Sequence, residues 1–315
     1  MGLGSAPAVP ISDGTLTTGT FRGQCESPVA PAQSRLSHSR FLPWRGGRTL
    51  LRFWGIDRSL VLSGTVIDDG IVGVTRLWVY DRDQGSVLVD RSRLLPPFVC
   101  HVPPESLSDP MAVGRFLDSR LTIELRGRTA RLSGRMGNTR LTVGFDTSDV
   151  EPVTEILGST GDSGIEWYRV VEHRPALSLT GWLDVDGNHF RLDEEATGSL
   201  AHAYSEFDRH RPVEHREALG RSDGGPVAVV PTVDGVCFWS DGTPELRSHT
   251  EEHQSGSFPT ALEYHNHHTG SHTASFGPVT YDHHHDVGIW TGEIASHSFE
   301  NADLIGLTDR FDLGR

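Results

Sequence analysis

The chain has 315 residues, 36% of them hydrophobic, and a formal charge of −14 from 28 basic and 42 acidic side chains. Every basic residue is Arg; the absence of lysine excludes Schiff-base, pyridoxal-phosphate, P-loop and kinase-type chemistry, each of which needs that amine. The acidic balance argues against nonspecific binding to nucleic acid or anionic membrane, and three isolated cysteines (Cys25, Cys100, Cys237) argue against a disulfide framework or zinc–thiolate site.

Residues 1–45, rich in Gly, Pro, Ser and Ala, read as an extended N-terminal arm. The first residues lack a basic region followed by an apolar one, and no apolar run approaches the roughly 18 residues of a membrane helix. The expectation is a cytoplasmic protein with no membrane span and no nucleic-acid partner. A strand series then opens: RTLLRFWGI (48–56), LVLSGTVI (60–67), IVGVTRLWVYD (71–81) and 86–90, with turn residues between them. The Pro-rich stretch 95–110 lacks the donors of a central strand, and 109–117 is predicted as one short helix. Alternation resumes at Leu121, Ile123 and Leu125 and continues through 128–133 and 139–145.

Residues 151–165 read as a polar linker between a first β unit at 46–150 and a second at 166–315. In the second, Leu177 to Val185 alternates with period two, Asp186-Gly187 supplies the positive φ angles of a tight turn, and His189 to Leu192 returns as partner strand. A polar segment with His202, Tyr204, Glu206, Asp208, His210, Glu214 and His215 follows and reads as a loop. Further strands are expected at 225–230, 236–239, 258–268, 272–276 and 287–295. The regular spacing of strands and turns predicts an all-β chain of two consecutive antiparallel barrels or half-barrels.

The chain resembles the domain-of-unknown-function family 2804 from about Gly14 to Arg315. The markers are FWGIDRSLVLSGTVIDDGIVGVTRLWVYD, GWLDVDGNHFRLDEEATGSL, VDGVCFWSDGTPEL, and VGIWTGEI followed by ENADLIGLTDRFDLG. That family is similar in layout to lipocalin-like (calycin-type) two-barrel proteins such as carotenoid 1,2-hydratase. The resemblance implies a barrel fold and small-molecule chemistry. Where the family carries an Asp-Trp-Gly-type run and a Trp-rich strand, this chain reads LAHAYSEFDRH and PVEHREALGRSDGG.

Three constellations bear on chemistry. His202 and Tyr204 are the candidate acid–base groups at a barrel mouth, with Trp182 and Trp239 as candidate walls of an apolar ligand cavity. In YHNHH and DHHHD, the pairs His265/His267 and His283/His285 fall at i, i+2 and offer half of a divalent-metal site, against the alternative of surface and turn histidines. HTEEH (249–253) has Thr250 where a zincin needs glutamate, and Gly220-Arg221-Ser222-Asp223-Gly224 lies between two strands, not before a helix, so it reads as a hairpin. The sequence thus predicts a β-barrel cavity for an apolar small molecule of isoprenoid, polyketide or lipid type, with cofactor-free hydration, cyclisation or isomerisation. A noncatalytic carrier or sensor and a His-ligated metalloenzyme are the alternatives.

Overall fold

The structure, a computed structural model, describes residues 3–29, 47–106, 109, 111–162, 164–206, 212–222, 225–248, 262–276, 279–294 and 297–314. Among them there is no α-helix, only a 3-10 turn at Pro97–Val99. Four short strands open the chain: β1 (Gly4–Ser5), β2 (Ile11–Ser12), β3 (Thr15–Leu16) and β4 (Gly19–Arg22). The expected meander follows as β5 (Arg48–Ile56), β6 (Leu60–Asp68), β7 (Gly73–Asp81) and β8 (Ser86–Leu95). After β9 (Cys100–His101) come β10 (Ala112–Phe116), β11 (Ser119–Arg126), β12 (Thr129–Met136) and β13 (Thr139–Asp146). The helix expected at 109–117 is therefore strand β10. Its alternation of Ala112 and Gly114 inward against Val113 and Arg115 outward suits a sheet.

Next come β14 (Val153–Gly161), β15 (Gly164–Val185), β16 (Asn188–Arg191) and β17 (Thr197–Glu206). The expected linker at 151–165 is instead the hairpin of β14 and β15, which pair from Val153↔His173 to Gly161↔Gly164. The segment read as a loop after the central hairpin is strand β17 as far as Glu206, paired between β15 and β5. The first sheet runs β8-β7-β6-β5-β17-β15-β13-β12-β11-β10-β9, and its last strands fold back against β6 and β7 in a nearly closed antiparallel barrel. Inside it Leu51, Phe53, Leu62, Leu77, Ile123 and Phe145 meet in one apolar cluster.

The second sheet contains β18 (Val213–Ser222), β19 (Gly225–Thr232), β20 (Gly235–Ser240), β21 (Thr243–Ser248), β22 (Leu262–Phe276), β23 (Val279–Ile294) and β24 (His297–Gly314). Its order is β21-β20-β19-β18-β24-β23-β22, so the chain changes sheet between Glu206 and Val213. The sheet lies against the outer face of the barrel's β5–β8 side. Two apolar clusters bind the faces. Trp54, Trp78, Tyr80, Leu219, Trp239 and Ile305 form one, and Leu50, Val74, Ala203, Tyr281 and Phe311 belong to the other.

The N-terminal arm is tied across both sheets. β4 pairs with β14, and the Thr20 N–H donates to Asp234 Oδ2 at 2.6 Å. No helix of the described residues is long and apolar enough to cross a membrane.

Candidate functional site in the cleft between the sheets

Period two decides what each strand sends where. On β5, Leu51 and Phe53 enter the barrel while Arg52 and Trp54 turn to the second sheet; on β7, Leu77 and Val79 enter the barrel while Arg76, Trp78 and Tyr80 face out. The second sheet answers with His215 and Glu217 from β18, Tyr281, His283 and His285 from β23, and Asp309 from β24, all buried. A polar layer is thus enclosed between the two apolar clusters.

Its centre is Arg52. The guanidinium Nε donates to Asp309 Oδ2 at 2.7 Å and Nη1 to Glu217 Oε2 at 3.1 Å, and Glu217 Oε2 also accepts Trp54 Nε1–H at 2.8 Å. His283 Nε2 meets the other Asp309 oxygen at 3.0 Å. A second arginine, Arg76, has Nη2 3.1 Å from Asp90 Oδ1 and 3.2 Å from His285 Nδ1. Arginine can only donate, so His285 Nδ1 accepts and its proton sits on Nε2. By the same logic, neutral His283 donates through Nε2 to the Asp309 carboxylate.

Burial sets the protonation states. It lowers the pKa of His283, opposed by the hydrogen bond to Asp309. Burial and then the Arg76 charge push His285 down to about 3. His215 is held well below the ordinary histidine value, by burial first and then by Arg52. Burial would raise Asp309, but Arg52 and the His283 hydrogen bond outweigh it and hold the carboxyl far below the usual range. Burial pushes the Tyr281 phenol up. At neutral pH the layer therefore holds charged Arg and carboxylate pairs beside uncharged imidazoles and a neutral phenol.

Several of these buried groups have polar atoms with no hydrogen-bond partner among the described residues. The donors are Arg52 Nη2, Trp78 Nε1, Tyr281 Oη and His285 Nε2; the acceptors are Glu217 Oε1 and His283 Nδ1; His215 Nε2 is the seventh such atom. Buried polar atoms are normally paired, so seven unpaired in one layer make it the candidate site. Beside them a cavity of about 230 Å³ opens between the sheets, with Val61, Tyr80, Val287, Ile289 and Ile305 as apolar walls and Arg58, Arg82, Asp83 and His267 polar. Aromatic rings join the cavity to the layer: Tyr80 stacks on Trp78 at 5.7 Å and lies 5.4 Å from His268, and Trp78 meets His285 at 4.7 Å.

The sequence candidates separate. His202 and Tyr204 sit on the face of β17 turned away from the second sheet. His202 Nε2 is 2.7 Å from Pro103 O, burial lowers its pKa, and the Tyr204 hydroxyl donates to Glu206 Oε2 at 3.2 Å. Trp239 is fully buried in the inter-sheet cluster with Nε1 donating to Glu151 O, whereas Trp182 is 36% exposed on the outside of the barrel, so the two do not share a wall. His283 and His285 are not surface or turn histidines, since both point into the buried layer; His265 and His267 are exposed. No group of three or more His, Cys, Asp or Glu among the described residues is arranged to hold a metal ion, and Arg76 and Asp309 already engage the His283/His285 pair. Asp208, His210 and the 249–253 motif lie outside the described residues. Ser222 pairs opposite Gly225 in a β-hairpin, as its sequence predicts.

Sequence reading passed over Arg52, Arg76, Glu217 and Asp309. The available signal was a charge at a position whose i±2 neighbours are apolar, such as Leu50, Arg52, Trp54 and Leu307, Asp309, Phe311.

No family model matches the chain, and no curated protein matches it; the resemblance to family 2804 gains no support there. Solved structures do resemble it. The crystal structure of CghA with Sch210972 superposes with a TM-score of 0.51 at 11% identity, over 85% of this chain and 89% of that one. Kievitone hydratase from Nectria haematococca gives 0.49 at 9% identity, over 85% and 89%. At 11% identity the likeness to CghA is one of fold: the all-β barrel that the strand pattern predicts, in the lipocalin-like form that the resemblance implies.

Proposed function

We propose that the cleft between the two sheets binds a small molecule with an apolar body and a carbonyl-type oxygen, and acts on it by cofactor-free proton transfer. The observation that carries this reading is the set of seven unpartnered polar atoms in the buried layer, which the stacked rings of Trp78 and Tyr80 connect to the neighbouring cavity. The neutral donors, His285 Nε2–H, Tyr281 O–H and Trp78 Nε1–H, suit an oxygen that gains negative charge during reaction. Fixed in a low-dielectric layer, they need no reorganisation at that moment. Neutral His285 serves as a donor and not as an acid, because its conjugate cation is unstable beside Arg76. Glu217 Oε1 is the acceptor available to take a proton from the ligand, and the same carboxylate can return it at another carbon. Isomerisation of a conjugated carbonyl compound uses those two steps; in hydration the same carboxylate takes the proton from the water that bonds to the β-carbon and delivers it to the α-carbon. CghA, which shares the fold, was solved with Sch210972, and that precedent supports a ligand in such a molecule.

Native mass spectrometry of untagged protein from its own host tests the reading. Wild type is expected to carry an organic adduct, and a Glu217→Gln/His285→Gln double variant to lose it. An adduct retained in full by that variant, or a wild type that neither carries nor takes up any apolar ketone, would overturn the siting. A ligand returned unaltered after long incubation would reduce the enzyme to a carrier.

A further inference from the structure

The strands β10 to β13 carry a second feature, on the outside of the barrel and unrelated to the cleft. Residues 111–145 hold seven Arg against two acids, Asp118 and Glu124, in a chain whose formal charge is −14. Register concentrates them: Arg115 lies opposite Arg120, Arg120 opposite Arg135, and Arg135 opposite Arg140. Four exposed guanidinium groups therefore stand in one row across four adjacent strands, about 5 Å from strand to strand. Like charges directly opposed across a ladder are destabilising, so the row costs the fold something. Arg115 and Arg140 make no hydrogen bond or ion pair among the described residues, and Arg120 and Arg135 bond only to Thr122 Oγ1 and Gly137 O.

The same end of the barrel exposes two large apolar side chains. Leu117 is 88% exposed at the tip of the β10–β11 turn, where its φ of 52° is one that Gly or Asn adopts with less strain. Phe98, in the 3-10 turn, is 85% exposed. The 3-10 turn that carries Phe98 leads into β9, which pairs with β10 at Cys100↔Gly114, and the turn itself lies against β10. A shallow recess of about 520 Å³ is lined by three arginines (Arg115, Arg120, Arg126), two acids (Asp109, Glu124), Val113 and Thr122.

We propose that this end of the barrel docks on a lipid surface bearing anionic headgroups. Leu117 and Phe98 enter the acyl boundary, and the arginine row takes headgroup phosphates by paired N–H donors. Protruding turn tips suit a deformable, planar partner better than they suit a rigid pocket. The chain's overall negative charge does not oppose this, because charges more than about 8 Å away are largely screened at physiological salt and the local surplus governs contact.

Vesicle co-sedimentation of the full chain decides the matter, using phosphatidylcholine alone and phosphatidylcholine with one-third phosphatidylglycerol. The expected result is binding to the mixed vesicles stronger by roughly tenfold or more, weakened by salt. Arg115→Gln/Arg120→Gln/Arg135→Gln/Arg140→Gln should remove that difference, and Phe98→Ser/Leu117→Ser should lower binding by roughly tenfold. Both sets change exposed residues, and a thermal melt confirms that each variant folds. Equal pelleting with both vesicles, or none, would overturn the proposal. So would unchanged binding by the Phe98/Leu117 variant, which would reduce the contact to arginine–phosphate attraction with no entry of the apolar tips into the bilayer.

Discussion

The barrel interior and the layer between the sheets are built from the same strands and differ in every physical respect. On β5, Leu51 and Phe53 enter a closed apolar core, while Arg52 and Trp54, one residue on, enter a network of ions. The interior has its apolar surface buried, so it supplies stability. The layer keeps buried charges, uncharged imidazoles and unpartnered atoms beside a cavity, an arrangement that costs stability unless a ligand uses it. A lipocalin-like barrel suggests a ligand inside the barrel; the proposed site lies instead against the barrel's outer face, in the cleft between the sheets.

Mutations can break that contrast, beginning with the largest effect. Arg52→Leu strands Asp309 and Glu217 as unpaired buried carboxylates and should cost about 3–5 kcal/mol in urea denaturation. Replacing Arg52, Glu217 and Asp309 together by apolar residues should recover most of that loss while abolishing ligand retention. If Arg52→Leu costs no more than an exposed substitution, the layer is not the closed network described.

Acid should loosen the cleft before the barrel. His283, His285 and His215 have folded-state pKa values below the ordinary value of about 6.5, so the unfolded chain takes up more protons as pH falls. Stability is therefore full above that value and declines through pH 6 and 5, with His285 alone contributing about 2 kcal/mol of loss between pH 7 and 5. Asp309, held low, adds its own loss only below about pH 4. Denaturation midpoints across this range should show the slope, and His285→Phe should flatten its upper part; an identical slope in the variant would contradict the assignment.

Smaller effects sharpen the distinction between faces. His202→Ala removes the hydrogen bond to Pro103 O and should cost about 1–2 kcal/mol while leaving the organic adduct in place. Trp182→Ala should change stability by less than about 0.5 kcal/mol, since that residue is 36% exposed. Trp239→Ala, on β20 and fully buried between the sheets, should cost several times more; equal costs would contradict the placement of Trp182 on the solvent side of β15.

The contrast also explains what the sequence disclosed. The hairpin at Asp186-Gly187 was readable because its signal is local: φ is 51° and 86° there, and Val185 pairs with Asn188 as the pattern demands. The first meander was readable for the same reason. By contrast, β15 runs unbroken from Gly164 to Val185 through a bulge at Arg174 to Leu177, with Ala176 at φ 57°. Nothing local in that stretch announces continuity, so the polar residues before it read as a linker. The site itself was least legible, because Arg52, Glu217 and Asp309 are far apart in sequence and meet only when two sheets stack. Each alone looks like an ordinary strand charge. His283 and His285 were visible as a pair, yet Arg76 and Asp309, which set their roles, lie on other strands.

The most direct test of the cleft as the ligand site is the indole N–H spectrum of protein labelled with ¹⁵N-tryptophan, titrated with an apolar ketone such as 2-acetonaphthone. Trp78 Nε1 is buried, unpartnered and stacked against the cavity wall, so its resonance, assigned through Trp78→Phe, should move first and furthest while that of Trp182 stays fixed. A titration that moved Trp182 and left Trp78 unchanged would place the ligand on the solvent side of β15, away from the cleft, and contradict the account.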